Sequence, residues 1–244
     1  MDQISAIAAS GFRARMQSLD LLANNMANAS TSGYKGDGEF YTVFTSEAAE
    51  ADSSGLPTTV PAIDRQWTDF AQGLIEPTNN PLDMALSGKG FFTVKGPTGP
   101  LYTRNGNFHM AADGTINTID GYPLLLKDGT ALKVDPTQSV DISTDGSVFQ
   151  QGQTIGDLQL VNFKDTTVLN KQGNNYFRNS STQAPGPAAD LQVQQGKIEG
   201  SNVNAAHGAV RLVGVMRQFE VMQKAISVAN DMGRKAIEEV AKVS

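Results

Sequence analysis

The sequence predicts an α+β protein: long N- and C-terminal helices forming a coiled-coil domain, with an antiparallel all-β domain inserted between them. Three observations predict it. Apolar residues recur in steps of three and four at both ends of the chain. All ten prolines lie between Pro57 and Pro187. The middle is punctuated by Asn-Gly and Asp-Gly pairs between short apolar runs. The resulting partition is an N-terminal helix in residues 1–33, an extended connecting segment in 34–78, a β-rich outer domain in 79–200 and a C-terminal coiled-coil helix in 201–244.

The C-terminal pattern is the longer one. Leu212, Val215, Phe219, Met222, Ile226, Ala229, Gly233, Ala236 and Val240 keep an unbroken 3-4 spacing, the seam of a coiled coil. Glu220/Lys224, Asp231/Lys235 and Glu238/Lys242 are acid-to-base pairs four residues apart, an order that supports a solvated helix face. At ~1.5 Å per residue such a helix runs about 55–60 Å, long for a globular protein. The N-terminal pattern is Ile4, Ala8, Phe12, Arg15, Leu19, Leu22 and Met26, with Arg15 as the polar intruder.

Two seams at opposite ends of one chain predict mutual pairing or pairing with other subunits. The candidate subunit-packing residues are therefore Ile4, Ala8, Phe12, Leu19, Leu22 and Met26 with Leu212, Val215, Phe219, Met222, Ile226, Ala229 and Val240. Burying one seam falls short of the entropy of ordering two long helices, and Gly11, Gly208 and Gly214 weaken them further. The expectation is of termini frayed in the free subunit and ordered when several subunits bundle.

Composition narrows the function. The 244 residues carry no cysteine, which excludes disulfides and thiolate chemistry. The net charge of −6 is concentrated in the middle of the chain. An acidic body argues against nucleic-acid binding and against docking on anionic lipid. No run reaches the ~18 apolar residues of a membrane span, so no stable membrane insertion is expected. Met1-Asp2-Gln3 has no basic region, and Arg13, Arg15 and Asp20 interrupt any apolar core, so export without a cleaved signal peptide is the expectation.

Between the helices, Phe40, Tyr41, Val43 and Phe44 form an apolar cluster, and Ser46–Pro61 reads as a mobile exposed connection. Residues 64–70, around the only tryptophan, Trp67, read as a strand. From Asn79 onward short runs at 82–86, 91–95, 101–103, 107–110, 115–118, 124–126, 140–142, 148–150 and 156–163 read as strands. Asn105-Gly106, Asp113-Gly114, Asp120-Gly121, Asp128-Gly129 and Asp145-Gly146 are expected to supply the positive φ of two-residue hairpins. Gly88, Gly90 and Gly106 read as turn glycines, and Phe91, Phe92, Tyr102 and Phe108 as core. Arg104 reads as a surface pairing group or a contact to a neighbouring subunit. Residues 180–189 read as a loop.

No constellation carries catalytic or metal chemistry. His109 and His207 are about a hundred residues apart and lack ligand spacing. The Asp-Gly pairs do not repeat at the alternate positions of a calcium loop. No phosphate-binding glycine loop or Gly-x-Ser-x-Gly elbow occurs. Neither catalytic residues, metal ligands nor a cofactor are assigned.

Four stretches resemble a known family. Asn24-Asn25-Met26-Ala27-Asn28, followed by Thr31, Gly33, Tyr34 and Lys35, resembles the signature of bacterial flagellar axial proteins. The run from Asn79 to Val94, with Gly90, Phe91 and Phe92, and then Tyr102-Thr103-Arg104-Asn105-Gly106-Asn107-Phe108, resembles the hallmark of the flagellar hook–basal-body family. So do Gly173–Phe177 and Gly196-Lys197-Ile198-Glu199-Gly200-Ser201-Asn202-Val203-Asn204. The resemblance covers most of the chain and is weakest in residues 36–75.

It implies a self-assembling structural subunit of the flagellar rod, in the periplasm, transmitting torque. The implied partners are copies of itself, other proximal and distal rod subunits, and the flagellar type III export apparatus. The short connection from Tyr34 to Asn79, the opening Met1-Asp2 and the Asn28–Thr31 sequence favour the proximal-rod branch. The chain is short for the extra outer domains of a hook protein. The alternatives are a periplasmic enzyme acting on cell-wall glycan through two carboxylates, and a coiled-coil adaptor that dimerises and stops.

Overall fold

The computed structural model describes residues 2–45, 59–188 and 190–243. In residues 2–10, 40–45 and 59–65, and at 229, 230, 233, 236, 237 and 239–243, only the backbone is described. The chain divides into two compact units, a helical one of Met1–Ala27, Asp37–Trp67 and Asn204–Ser244, and a β unit of Asn28–Gly36 and Thr68–Val203.

The helical unit holds α1 (Asp2–Ala27), α2 (Ala205–Val243) and a ladder of β1 (Asp37–Thr45) with β2 (Thr59–Thr68). The two helices run antiparallel: Met26 lies against Gly208, and Phe12 meets Phe219 edge to face with ring centroids 4.8 Å apart. Asn204 caps α2, its side chain accepting from the backbone N–H of His207 at 3.1 Å. The apolar cluster at 40–44 falls on β1 as backbone only, and most of the connection expected at 46–61 lies outside the described residues. Trp67, next to last in β2, sets its indole over Gly38, where a Cβ would come within 2.5 Å of the ring nitrogen.

The β unit is antiparallel throughout. Its strands are β3 (Ile75–Pro77), β4 (Met84–Ser87), β5 (Phe91–Gly96), β6 (Gly99–Thr103), β7 (Phe108–Met110), β8 (Ile116–Thr118), β9 (Asp141–Ile142), β10 (Ser147–Gln150), β11 (Gln153–Asp157), β12 (Leu160–Asn162), β13 (Leu169–Lys171), β14 (Tyr176–Asn179), β15 (Gly186–Pro187), β16 (Gln192–Gln195) and β17 (Lys197–Glu199). The principal sheet has the order β13-β14-β6-β5-β12-β15. Smaller ladders join β11-β10-β9, β16-β4, β17-β3 and β7-β8.

That sheet separates two apolar clusters, because successive side chains of a strand point to opposite faces. Phe92, Leu101 and Tyr176 enter the larger cluster with Met84, Phe108, Leu124 and Val148. Their chain neighbours Phe91, Tyr102 and Phe177 enter the smaller one with Val161 and Phe163. The short strands β3 and β13–β17 carry too few residues for a sequence pattern, and β15 interrupts the loop expected at 180–189.

The turn chemistry differs from expectation. Gly114, Gly121, Gly129 and Gly146 all have φ between 81° and 88°, but their preceding aspartates do not have positive φ. These are four-residue turns closed by the glycine N–H, as in Gly129 to the Leu126 carbonyl at 2.8 Å, rather than two-residue hairpins. Gly106 has no positive φ either. A Cβ there would lie 1.5 Å from the Met84 carbonyl oxygen, so this glycine permits close backbone approach.

Candidate functional site: a helical packing surface and a buried clasp

α1 works on two sides. The seam side brings Phe12 and Met26 to α2, and Gly11 forms a notch whose Cβ position lies 3.4 Å from the Met222 sulfur. Leu22 and Val215 are buried, while Leu19, Leu212, Met222 and Ile226 are half-buried. Ile4, Ala8, Ala229 and Val240 lie on the helix backbones, with side chains outside the described residues.

A second face of α1 buries Ala14, Ser18, Leu21 and Asn25, and its two polar members are invisible to apolar periodicity. Ser18 donates to the Glu39 carboxylate at 2.7 Å, and that carboxylate also receives Arg211 of α2 at 3.0 Å. Asn25 accepts from the Asp37 N–H at 2.9 Å and donates to the Asp37 carbonyl at 2.7 Å, fixing the start of β1 on the helix as a second strand would.

In the β unit the motif residues converge on Glu199. Its side chain is fully buried, and its Oε1 accepts from the Lys35 ammonium at 2.6 Å and from the Gly73 N–H at 2.9 Å. Its Oε2 accepts from the Arg104 guanidinium at 3.1 Å. Lys35 donates further to the Ala71 carbonyl, and Arg104 to the Leu86 and Gly88 carbonyls, with its guanidinium over the Phe91 ring. Arg104 is thus interior, 3% exposed, and neither a surface group nor a contact to a neighbour. Burial pulls Lys35 and Arg104 below their ordinary pKa values, and the Glu199 charge opposes this in both.

Asn202 completes the clasp. It accepts from the Gly36 N–H at 2.8 Å and donates to the Asp69 carbonyl at 2.7 Å. The Asp69 N–H returns to the Gly36 carbonyl at 2.8 Å, and the Gly33 N–H reaches the Glu199 carbonyl at 2.7 Å. Residues 33–36, 69–73 and 199–202, which enter and leave the β unit, are therefore cross-linked by two side chains. Gly33 has φ 68° and stands six residues past the end of α1, in a separate turn begun by Asn28 and Thr31. Tyr34 is buried beneath the Lys171 ammonium, 4.6 Å from its ring. Thr103 holds the Asn175 carbonyl, Gly90 packs against Leu191, and Ser201 accepts from the Val203 N–H. The Gly200 N–H bonds the Leu74 carbonyl. The sequence singles out Lys35, Arg104 and Asn202 as motif residues only; Glu199 as their hub and the bonds of the clasp are not legible in it. Partners 95 and 164 residues apart leave no local spacing to read.

Three family models match, overlapping three of the four stretches: Flagella basal body rod protein over residues 6–35, Flagellar hook protein FlgE/F/G D1 domain over 85–150, and Flagellar basal body rod FlgEFG protein C-terminal over 194–239. A flagellar basal-body rod protein FlgF of Caulobacter vibrioides is 31% identical over 227 residues, 93% of each chain. The chain belongs to the flagellar basal-body rod protein family. A FlgG rod protein of Buchnera aphidicola is 30% identical over 256 aligned positions, 94% of this chain and 96% of its own. The FlgG of Caulobacter vibrioides is 31% identical over 249, 92% and 94%. This rod protein, FlgF or FlgG in kind, is a structural component of the flagellar basal body. The relatives lend no support to a glycan-acting enzyme. Among the described residues no helix of the rod protein is long and apolar enough to cross a membrane.

Proposed function

We propose that α1 and α2 assemble as a coiled coil with those of neighbouring copies and of other rod subunits, building a periplasmic shaft that transmits torque. The subunit-packing residues are those of the two seams. The β unit makes lateral contacts, and the chain leaves the cytoplasm through the type III export apparatus without a cleaved signal peptide. The observation that carries this reading is the pair of long antiparallel helices, 26 and 39 residues, in a chain whose β unit already owns a closed core.

A proximal position in the rod is supported by alignment length. The match to the Caulobacter FlgF fits within the chain's own residues, whereas the FlgG matches run to 249–260 positions and so contain segments this chain lacks.

The test is a charge in the seam. Phe219→Asp or Leu22→Asp is expected to abolish incorporation into basal bodies and motility, with the β unit still folded by circular dichroism. Motile cells with normal rod incorporation would overturn the reading.

A further inference from the structure

α2 is apolar on two sides, and α1 covers one of them. Val210, Gly214, Val221, Ala225, Val228 and Met232 form a second stripe at steps of four, seven, four, three and four. At 3.6 residues per turn its mean direction lies roughly 110° around the helix from the seam. Its large members are open to solvent: Val210 is 74% exposed, Val221 67%, Val228 58% and Met232 67%. The stripe's own members are uncharged, and it is bordered by Arg217, three residues after Gly214, and by the acid–base pairs Glu220/Lys224 and Asp231/Lys235. A helix with two apolar faces needs two neighbours.

The hairpin itself indicates what the second neighbour supplies. Its two helices pack by setting a methionine into a glycine notch, twice. The Met222 sulfur lies 3.4 Å from the Cβ position of Gly11, and Met26 Cγ lies 2.9 Å from that of Gly208. A further glycine of α2, Gly214, has nothing within 4 Å of its Cβ position and lies in the exposed stripe. It is a notch without a knob. On α1, Met16 is 55% exposed and is a knob without a notch. We infer that the second stripe of α2 receives α1 of another copy of this chain, with Met16 of that copy seated in the Gly214 notch. The methionines of α2 would give a different result: α2 against α2 is the same surface on both copies and closes as a two-fold dimer. Met16 into Gly214 joins different surfaces, the heterologous kind of contact that extends a filament wherever its rotation does not close a ring.

This inference rests on assembly through the terminal helices and adds the face used. The absence of cysteine from the chain makes the test direct. Met16→Cys and Gly214→Cys are made as single variants and co-expressed in a host lacking its own copy. Basal bodies are then oxidised and the cross-linked peptides identified by mass. Because each chain carries one thiol, every cross-link joins two copies. The 16–214 link is expected in about tenfold excess over 16–16 and 214–214, as a heterologous contact requires. A statistical mixture, a predominance of 214–214, or no link would overturn the inference. As a second variant, Gly214→Leu fills a notch with open space around it, so the hairpin keeps its helix content while incorporation is lost. Normal incorporation of that variant would also overturn it. If Phe219→Asp abolishes incorporation while these tests fail, assembly through the helices stands and only the face is wrong. If Phe219→Asp incorporates normally, the assembly reading itself falls.

Discussion

In the β unit, Phe92, Leu124 and Val148 are shut off from water, and so are three charged groups, Lys35, Arg104 and Glu199. In the helical unit, Val210, Val221 and Met232 on α2 are each more than half exposed, although the helix has a partner along its other side. The contrast follows from geometry. A sheet with a cluster on each face covers its own apolar surface and can close its edges with short ladders. In the helical unit α1 packs on α2 and on β1, but α1 covers only one stripe of α2 and leaves the second open. The β unit therefore covers its apolar surface within one chain, whereas α2 of the helical unit leaves an apolar stripe open.

The largest expected difference between the two units lies in amide hydrogen exchange on the dilute protein. Exchange is expected to be fast across residues 2–27 and 205–243 and slow, approaching global unfolding, in β5, β6 and β14. Opening free energies range from near zero in frayed elements to the full stability in a core. Equal protection of both regions in a monomer would break the comparison. It would mean that the hairpin is self-sufficient and that its exposed stripe serves something other than ordering by neighbours.

Next in size is the loss of the Glu199 carboxylate. Glu199→Ala leaves Lys35 and Arg104 buried without a counter-charge, and removing one partner of a buried ion pair costs about 3–5 kcal/mol. The expected readout is a lower denaturant midpoint for the β unit, with the helix signal of α1 and α2 retained. Lys127→Ala, which breaks the exposed pair with Asp157, is expected to cost about 0–1 kcal/mol. Equal effects of the two changes would mean that the clasp contributes no more than a surface pair.

These regions also differ in how far they could be read in advance. The strands at Phe91–Gly96 and Gly99–Thr103 were legible because apolar residues crowd into runs of the right length between turn glycines. The helices were legible because a seam repeats over many turns. The polar members of α1's second face were not legible. Ser18 and Asn25 find their partners in Glu39 and Asp37, and a hydrogen bond across 12 or 21 residues leaves no period behind. Arg104 failed for a similar reason. Its charge pointed to the surface, and only a carboxylate 95 residues later makes burial affordable. Gly106 shows the limit of composition: Asn-Gly reads as a turn, while the backbone of β4 is what excludes a side chain there.

The smallest expected effect belongs to the aspartates of the β turns. Asp128 accepts from the Thr130 N–H at 2.9 Å and from its hydroxyl at 2.7 Å, and these bonds hold its carboxyl below the ordinary value of 3.8. Asp113 is held below it in the same way by Thr115, with Lys133 adding to the effect. A carboxylate lowered in the folded state adds stability that is fully present above the unfolded pKa and is lost as pH falls through the lowered one. Titration followed by carboxyl chemical shifts is therefore expected to place Asp128 and Asp113 below an unstructured aspartate. Asp128→Asn is expected to remove that turn's contribution to acid sensitivity while leaving Asp113 unmoved, since the two turns use separate hydroxyl and amide donors. A normal pKa at Asp128 would show that the Thr130 contacts do not persist in solution. The turns would then owe their shape to Gly114 and Gly129, whose φ of 81° needs no help from a side chain.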